Sequence, residues 1–209
     1  MAPRRSQVSP EGTRVQLMDA ALRAFAAKGY DGASVRDIAA EASVAPGLLY
    51  HYFPSKAAVL TALFERSGAL VMQAFAAASA EPEPAARLAA LIRVSAALVR
   101  DHEDFWRVSY GVRFQRSVLD GLAEGIAAQA ALFGRLFAEL LTALGRPDPE
   151  VEARVLFATL DGVFQHYVLD PAQYPLDAVI EHVIAAHGGA ALGASPAQTP
   201  PERADLEGT

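Results

Sequence analysis

Apolar positions recur with a helical period along nearly the whole chain, and Pro and Gly divide that pattern into segments. Ser9-Pro10-Glu11 supplies a cap, a first-turn proline and an early acid, and Val15, Met18, Leu22 and Phe25 then share a face until Lys28-Gly29. Ser34-Val35-Arg36-Asp37 is a variant capping box opening a short helix to about Ala42, with Val35, Ile38 and Ala39 turned inward. After Ser43-Val44-Ala45 a third short helix begins at Pro46 and runs to about Phe53. Pro54-Ser55-Lys56 then caps a long fourth helix reaching about Ala80.

Further on, Glu81 to Pro84 reads as a loop and about Ala85 to His102 as a helix. The stretch Arg107 to Phe114 alternates polar and apolar residues, a strand signal that is discounted because a single strand without a partner cannot satisfy its backbone. A long helix is expected from Ser117 to Leu144 on Val118, Leu122, Ile126, Phe133, Phe137, Leu140 and Leu144. Others run from Asp148 to Leu169 and from Pro175 to Gly188. The expected fold is all-α with about nine helices. Its parts are a disordered basic arm (1–8), a helix-turn-helix head (9–54), a helical body (55–187, with 55–80 as the linking helix) and a disordered tail (188–209).

Composition narrows the function. Of 209 residues 52% are hydrophobic and 20% charged, enough apolar matter for a sizeable core, and the absence of cysteine excludes a disulfide framework, a thiolate metal site and a cysteine nucleophile. The uncharged apolar run Ser67 to Ala80 falls short of the roughly 20 residues that span a bilayer. No secretory pattern follows Arg4 and Arg5, so a cytoplasmic protein without a membrane partner is expected. A net charge of -6 argues against nucleic acid, yet residues 1–56 hold seven basic and five acidic side chains while the rest holds eleven basic and nineteen acidic. Such a division suits a nucleic-acid-binding head on an acidic body, and also ordinary scatter.

Helices two and three, joined by about four residues, have the size of a helix-turn-helix. Behind the turn stands Tyr50-His51-Tyr52-Phe53, followed by Lys56. Leu49 and Phe53 are enough to anchor helix three, which leaves Tyr50, His51 and Tyr52 to face outward as donors for phosphate oxygens. The alternative is an aromatic cluster bracing a three-helix bundle. The segments Ala20 to Tyr30, Ser34 to Ala39 and Gly47 to Lys56 together resemble the N-terminal domain of TetR-type transcriptional regulators, over roughly Thr13 to Leu63. The resemblance implies that Pro46 to Tyr52 is the recognition helix, with Gly47 and Leu48 nearest the base edges and Tyr50 on a base methyl or a phosphate. It implies phosphate contacts from Ser34, His51, Tyr52 and Lys56, Ser34 being also a plain helix cap. Ser43, Ala45, Pro46 and Leu48 depart from the residues common in the family, so hydrogen-bond readout should be thin and methyl contact and DNA shape more important. The acidic remainder, with Leu160-Asp161-Gly162, resembles the effector-binding and dimerisation domain of such regulators.

The body carries aromatic residues at helical spacing: Phe105, Trp106, Tyr110 and Phe114, then Phe133 and Phe137, then Phe157, Phe164 and Tyr167. Each is a core candidate. Polar neighbours give some of them a second reading, in which Trp106, Tyr110, Phe133, Phe137 and Phe164 line an apolar cavity and His102, Gln129 or Asp161 orients a small-molecule effector; Gln165 and His166 are weaker candidates. Enzyme signatures fail. His102-Glu103 lacks a second His at position 106, His182 and His187 diverge on a helix, and no phosphate-cradling Gly-rich run is present, so neither metal nor cofactor is expected. A ligand-responsive repressor is expected, acting as a homodimer on a palindromic operator in double-stranded DNA and dimerising through Asp148–Leu169 and Pro175–His187, where Ala158 and Gly162 permit close approach. A helical enzyme or an interaction module with an incidental head is the competing reading.

Overall fold

A computed structural model describes residues 9–115, 118 and 121–188, and these form helices joined by turns. In chain order they are α1 (Pro10–Gly32), α2 (Val35–Glu41), α3 (Pro46–Tyr52), α4 (Lys56–Ala78), α5 (Pro84–Asp101), α6 (Glu103–Val112), α7 (Ala123–Ala143), α8 (Pro149–Leu169) and α9 (Leu176–Gly188). The expected arm 1–8, the expected tail from 189 onward and the expected helix start at Ser117 lie outside the described residues, while Gly188, placed at the start of the expected tail, ends α9.

Local chemistry sets most boundaries. Ser9 Oγ accepts the Gly12 N–H at 3.1 Å, and the regular geometry of α1 breaks at Gly29, whose φ of +73° a residue with a Cβ rarely adopts, before one last turn to Gly32. Ser34 and Asp37 form a reciprocal capping box: Asp37 N–H donates to Ser34 Oγ at 3.2 Å and Ser34 N–H to the Asp37 carboxylate at 2.8 Å. Lys28 Nζ, 2.6 Å from the same carboxylate, and Ser34 together hold Asp37 far below the usual carboxylate range. Ser55 Oγ caps α4 through the Ala58 N–H.

The buried side chains form two clusters. One gathers Leu17, Phe25, Ile38, Leu49 and Phe53 with the first half of α4 (Val59, Leu60, Leu63), and the other gathers the second half of α4 (Val71, Phe75) with α5, α7, α8 and α9. Helix α4 therefore serves both. So does α6, whose Val108 and Val112 are buried in the first cluster while Trp106 and Tyr110 pack against the second. The alternating stretch at Arg107 to Phe114 is thus mostly helix. Its polar–apolar alternation arises because one side meets α1 and the next lies toward the body, a pattern that mimics a strand over eight residues.

Helix α7 starts at Ala123, six residues later than expected, and Val118 and Leu122 precede it, packed against the first cluster. By length and composition α7 can cross a membrane, although the sequence reading weighed only Ser67 to Ala80 for that role. In the fold, Phe137, Leu140 and Leu141 of α7 are buried in the second cluster. Ion pairs Arg93–Glu181 and Arg100–Asp177 fasten α9 to α5.

At the turn between α2 and α3, Ser43 sits at φ +55°, where a Cβ is strained. The Val44 N–H reaches back to the Ala39 carbonyl at 2.9 Å and closes this turn. Ser43→Gly should raise stability by about 0.5–1 kcal/mol, the relief of strain exceeding the extra chain entropy. An increase in the urea midpoint at unchanged slope would show it, and an unchanged or lower midpoint would contradict it.

Candidate nucleic-acid interface and ligand cavity

Helix α3 has seven residues and two anchors. Leu49 within it and Phe53 at its end are buried, which turns Pro46, Gly47, Tyr50 and His51 to the outside and leaves Leu48 and Tyr52 half-buried. No atom comes within 4 Å of a Cβ placed on Gly47, so that stretch of backbone is open to close approach. Tyr52 differs from expectation: its ring packs against the first cluster, edge-on to His51 at 5.2 Å, because the turn that buries Leu49 and Phe53 draws it partly in. Ser34 is exposed, but its hydroxyl already serves the capping box.

Lys56 has a structural task that its position in sequence did not reveal. Its ammonium donates to the carbonyls of Tyr30 at 2.7 Å and Ala33 at 3.0 Å and lies 4.2 Å from the Tyr30 ring centre, tying the end of α1 to the start of α4. Two of three donors are taken. Lys56→Met should therefore destabilise the fold by about 1–2 kcal/mol, at the low end for charged hydrogen bonds because the group is only part-buried. Thermal unfolding of the variant tests this, and an unchanged midpoint would exclude the tether.

In the body a cavity of about 490 Å³ lies between α4, α5, α6, α7 and α8. Seven of the eight residues expected to bind ligand line it: Trp106, Tyr110, Gln129, Phe133, Phe137, Asp161 and Phe164. His102 does not. It sits between α5 and α6, where the backbone leaves helical geometry (φ -127°, ψ 40°), and its exposed side chain borders only a hollow of about 10 Å³ beside Trp106. Phe114 is solvent-exposed, as are Gln165 and His166, the last stacked on Tyr174. Phe64, Phe75 and Ser109 are lining residues that the sequence reading passed over.

It also missed Arg113. Its guanidinium forms a two-pronged pair with Asp161, Nη2 donating to Oδ1 at 2.9 Å and Nη1 to Oδ2, and lies 4.7 Å from the Tyr110 ring centre. Hydrogen bonding to Asp161 pushes the Arg113 pKa up, and burial pushes that of the Tyr110 hydroxyl up, so both keep their protons. The Tyr110 hydroxyl donates to the Asp161 carbonyl at 3.4 Å. A signal was available: Trp106, Tyr110 and Arg113 stand at i, i+4 and i+7, one face of a helix, of which only the two aromatic members were picked out.

A short, two-anchor helix α3 on a three-helix head, continuous through α4 with a cavity-bearing helical body, is the architecture of a helix-turn-helix regulator. Residues 17–63 match the model of the bacterial regulatory proteins of the TetR family, and residues 91–189 that of the tetracyclin repressor-like C-terminal domain. The chain belongs to the TetR family of DNA-binding transcriptional regulators. It is 26% identical over 186 residues to the HTH-type transcriptional regulator PksA of Bacillus subtilis, covering 87% of this chain and 90% of that one. Against the regulator BetI of Rhizobium meliloti it is 42% identical over 83 residues, 39% of this chain and 41% of the relative. Among solved structures, the fatty acid degradation regulator FadR of Bacillus halodurans superposes with a TM-score of 0.73 at 23% identity, covering 91% of this chain and 99% of that one. FadR of Bacillus subtilis in complex with stearoyl-CoA does so at 0.72 and 21%, covering 84% and 98%. These two likenesses are of fold.

Proposed function

We propose that the protein is a non-enzymatic, cytoplasmic repressor that holds a palindromic operator as a homodimer and releases it when a small, largely apolar, ring-bearing effector enters the cavity. The observation that carries this is the double membership of α6: the helix that presents Trp106 and Tyr110 to the cavity also buries Val108 and Val112 against the DNA-binding head. Helix α4 supplies a second connection, so an effector that prefers one placement of α4 and α6 sets the spacing of two heads on DNA. A coupling of roughly 1–3 kcal/mol lowers operator affinity about 5- to 150-fold, and DNA weakens effector binding by the same factor.

On DNA, α3 enters the major groove with Gly47 and Leu48 at base edges and Pro46 leading the helix. Tyr50, free to pack on a base methyl or donate to a phosphate, and His51, free to donate to a phosphate, are the most open side chains, while Ser34, Tyr52 and the remaining N–H of Lys56 reach phosphates from the flanks. The homodimer reading is supported by an apolar stripe on α8: Val151, Val155, Ala158, Gly162 and Leu169 share one side of the helix, with Val155 53% and Leu169 72% exposed. A Cβ at Gly162 would meet nothing within 4 Å, which leaves room for a partner helix.

Selection from random DNA should return two inverted half-sites, and a single asymmetric site would overturn the dimeric reading. His51→Ala should weaken binding to every sequence alike, whereas Leu48→Ala should change the preference among operator variants. Val155→Arg should yield a folded monomer by light scattering that no longer holds the operator. A dimer that binds normally would place the interface elsewhere.

A further inference from the structure

The charge balance of the cavity says what kind of effector it accepts. Nine aromatic side chains line it, and among its described lining residues only Arg113 and Asp161 carry formal charge. Paired, they sum to zero. A neutral ligand leaves them together, whereas a charged ligand must take the place of one of them.

The two exchanges are not equivalent. Arg113 follows the last residue of α6 on a long flexible side chain that is already 38% exposed, so its guanidinium can turn into water when released. Asp161 stands in the middle of α8 on a short side chain that is 27% exposed and has no comparable reach. An anion bound to Arg113 would leave the Asp161 carboxylate without its partner and beside a second negative charge, a costly arrangement away from bulk water. A cation bound to Asp161 leaves every charge compensated. The walls favour the same sign, since the faces of aromatic rings attract cations and repel anions.

We propose that the effector is a ring-bearing organic cation, an ammonium or amidinium on an aromatic or apolar body, whose positive charge replaces Arg113 on Asp161. This rests on the reading of the cavity as the effector site. It adds a trigger to that reading, because the pair Arg113–Asp161 ties α6 to α8, and its exchange frees the C-terminal end of the helix that packs on the head.

The test uses the full-length protein and three probes on one biphenylmethyl frame: 4-phenylbenzyl-trimethylammonium, its neutral carbon isostere 4-neopentylbiphenyl, and the anionic 4-biphenylacetate. Trp106 is the sole tryptophan and lines the cavity, so its fluorescence reports binding. The cation should bind about tenfold or more tightly than the isostere, with the acetate weakest. Asp161→Asn should erase the preference for the cation while keeping the affinity for the isostere within about twofold, which shows that the cavity is intact; a structural role alone would weaken all three equally. Arg113→Met should strengthen cation binding by removing its competitor. Equal affinity for cation and isostere, or tighter binding of the acetate, overturns the choice of charge and leaves the cavity as the effector site. If none of the three probes moves the Trp106 signal, the effector cavity itself falls.

Discussion

A ten-residue helix packed between two cores must divide its faces between them, and α6 does so in a way on which the rest of the structure depends. Val108 and Val112 turn to the head, where they are buried with residues of α1 and α4, while Phe105, Trp106 and Tyr110 turn to the body. Four residues separate Val108 from Val112 on one face and Trp106 from Tyr110 on the other, so a shift or rotation of α6 for one core is felt by the other. Close-packed interiors do not absorb such shifts gradually, so the wall that cavity and head share moves as one piece. Helix α4 repeats the arrangement lengthwise, its first half in one core and its second half in the other.

The cavity follows from what the body helices leave unfilled. Large aromatic side chains from α4, α6, α7 and α8 gather around it, the rings of Phe75 and Phe133 tilted by 33° with centres 4.7 Å apart, without closing the space between them. A single ion pair crosses that apolar surface. Partly exposed pairs of this kind contribute little to stability, so Arg113–Asp161 is better understood as a positional device that fixes α6 against α8 and sets the electrostatic character of the site. Tyr110 reinforces it from both sides, its ring beneath the guanidinium and its hydroxyl on the backbone carbonyl of Asp161.

In the head, donors divide into those the fold consumes and those it leaves open. Ser34 and Lys56 are largely spent on the end of α1 and the start of α2, which places those elements for α3. Tyr50 and His51, on the outer side of a helix anchored by Leu49 and Phe53, remain available. Donors consumed by the fold and donors left open thus stand close to one another in sequence and carry the same chemistry.

Much of this was legible from sequence because it is decided within one helical turn. The caps at Ser9, Ser34 and Ser55 act over three residues, the break at Gly29 is a property of one backbone torsion, and the inward faces of α1 to α4 follow a fixed period. The head was legible further because its motif binds residue identities to places in a short segment. The long helices of the body and seven of the nine aromatic side chains lining the cavity were readable from aromatic spacing. What the sequence left open depends on partners distant along the chain. The Lys56 ammonium bonds to carbonyls 26 and 23 residues away, and Arg113 meets Asp161 across 48. Whether His102 faced the cavity turned on where α5 stops. Only tertiary packing decides such cases, because a side chain's neighbours across the fold determine whether its charge is exchanged, shared or left to water.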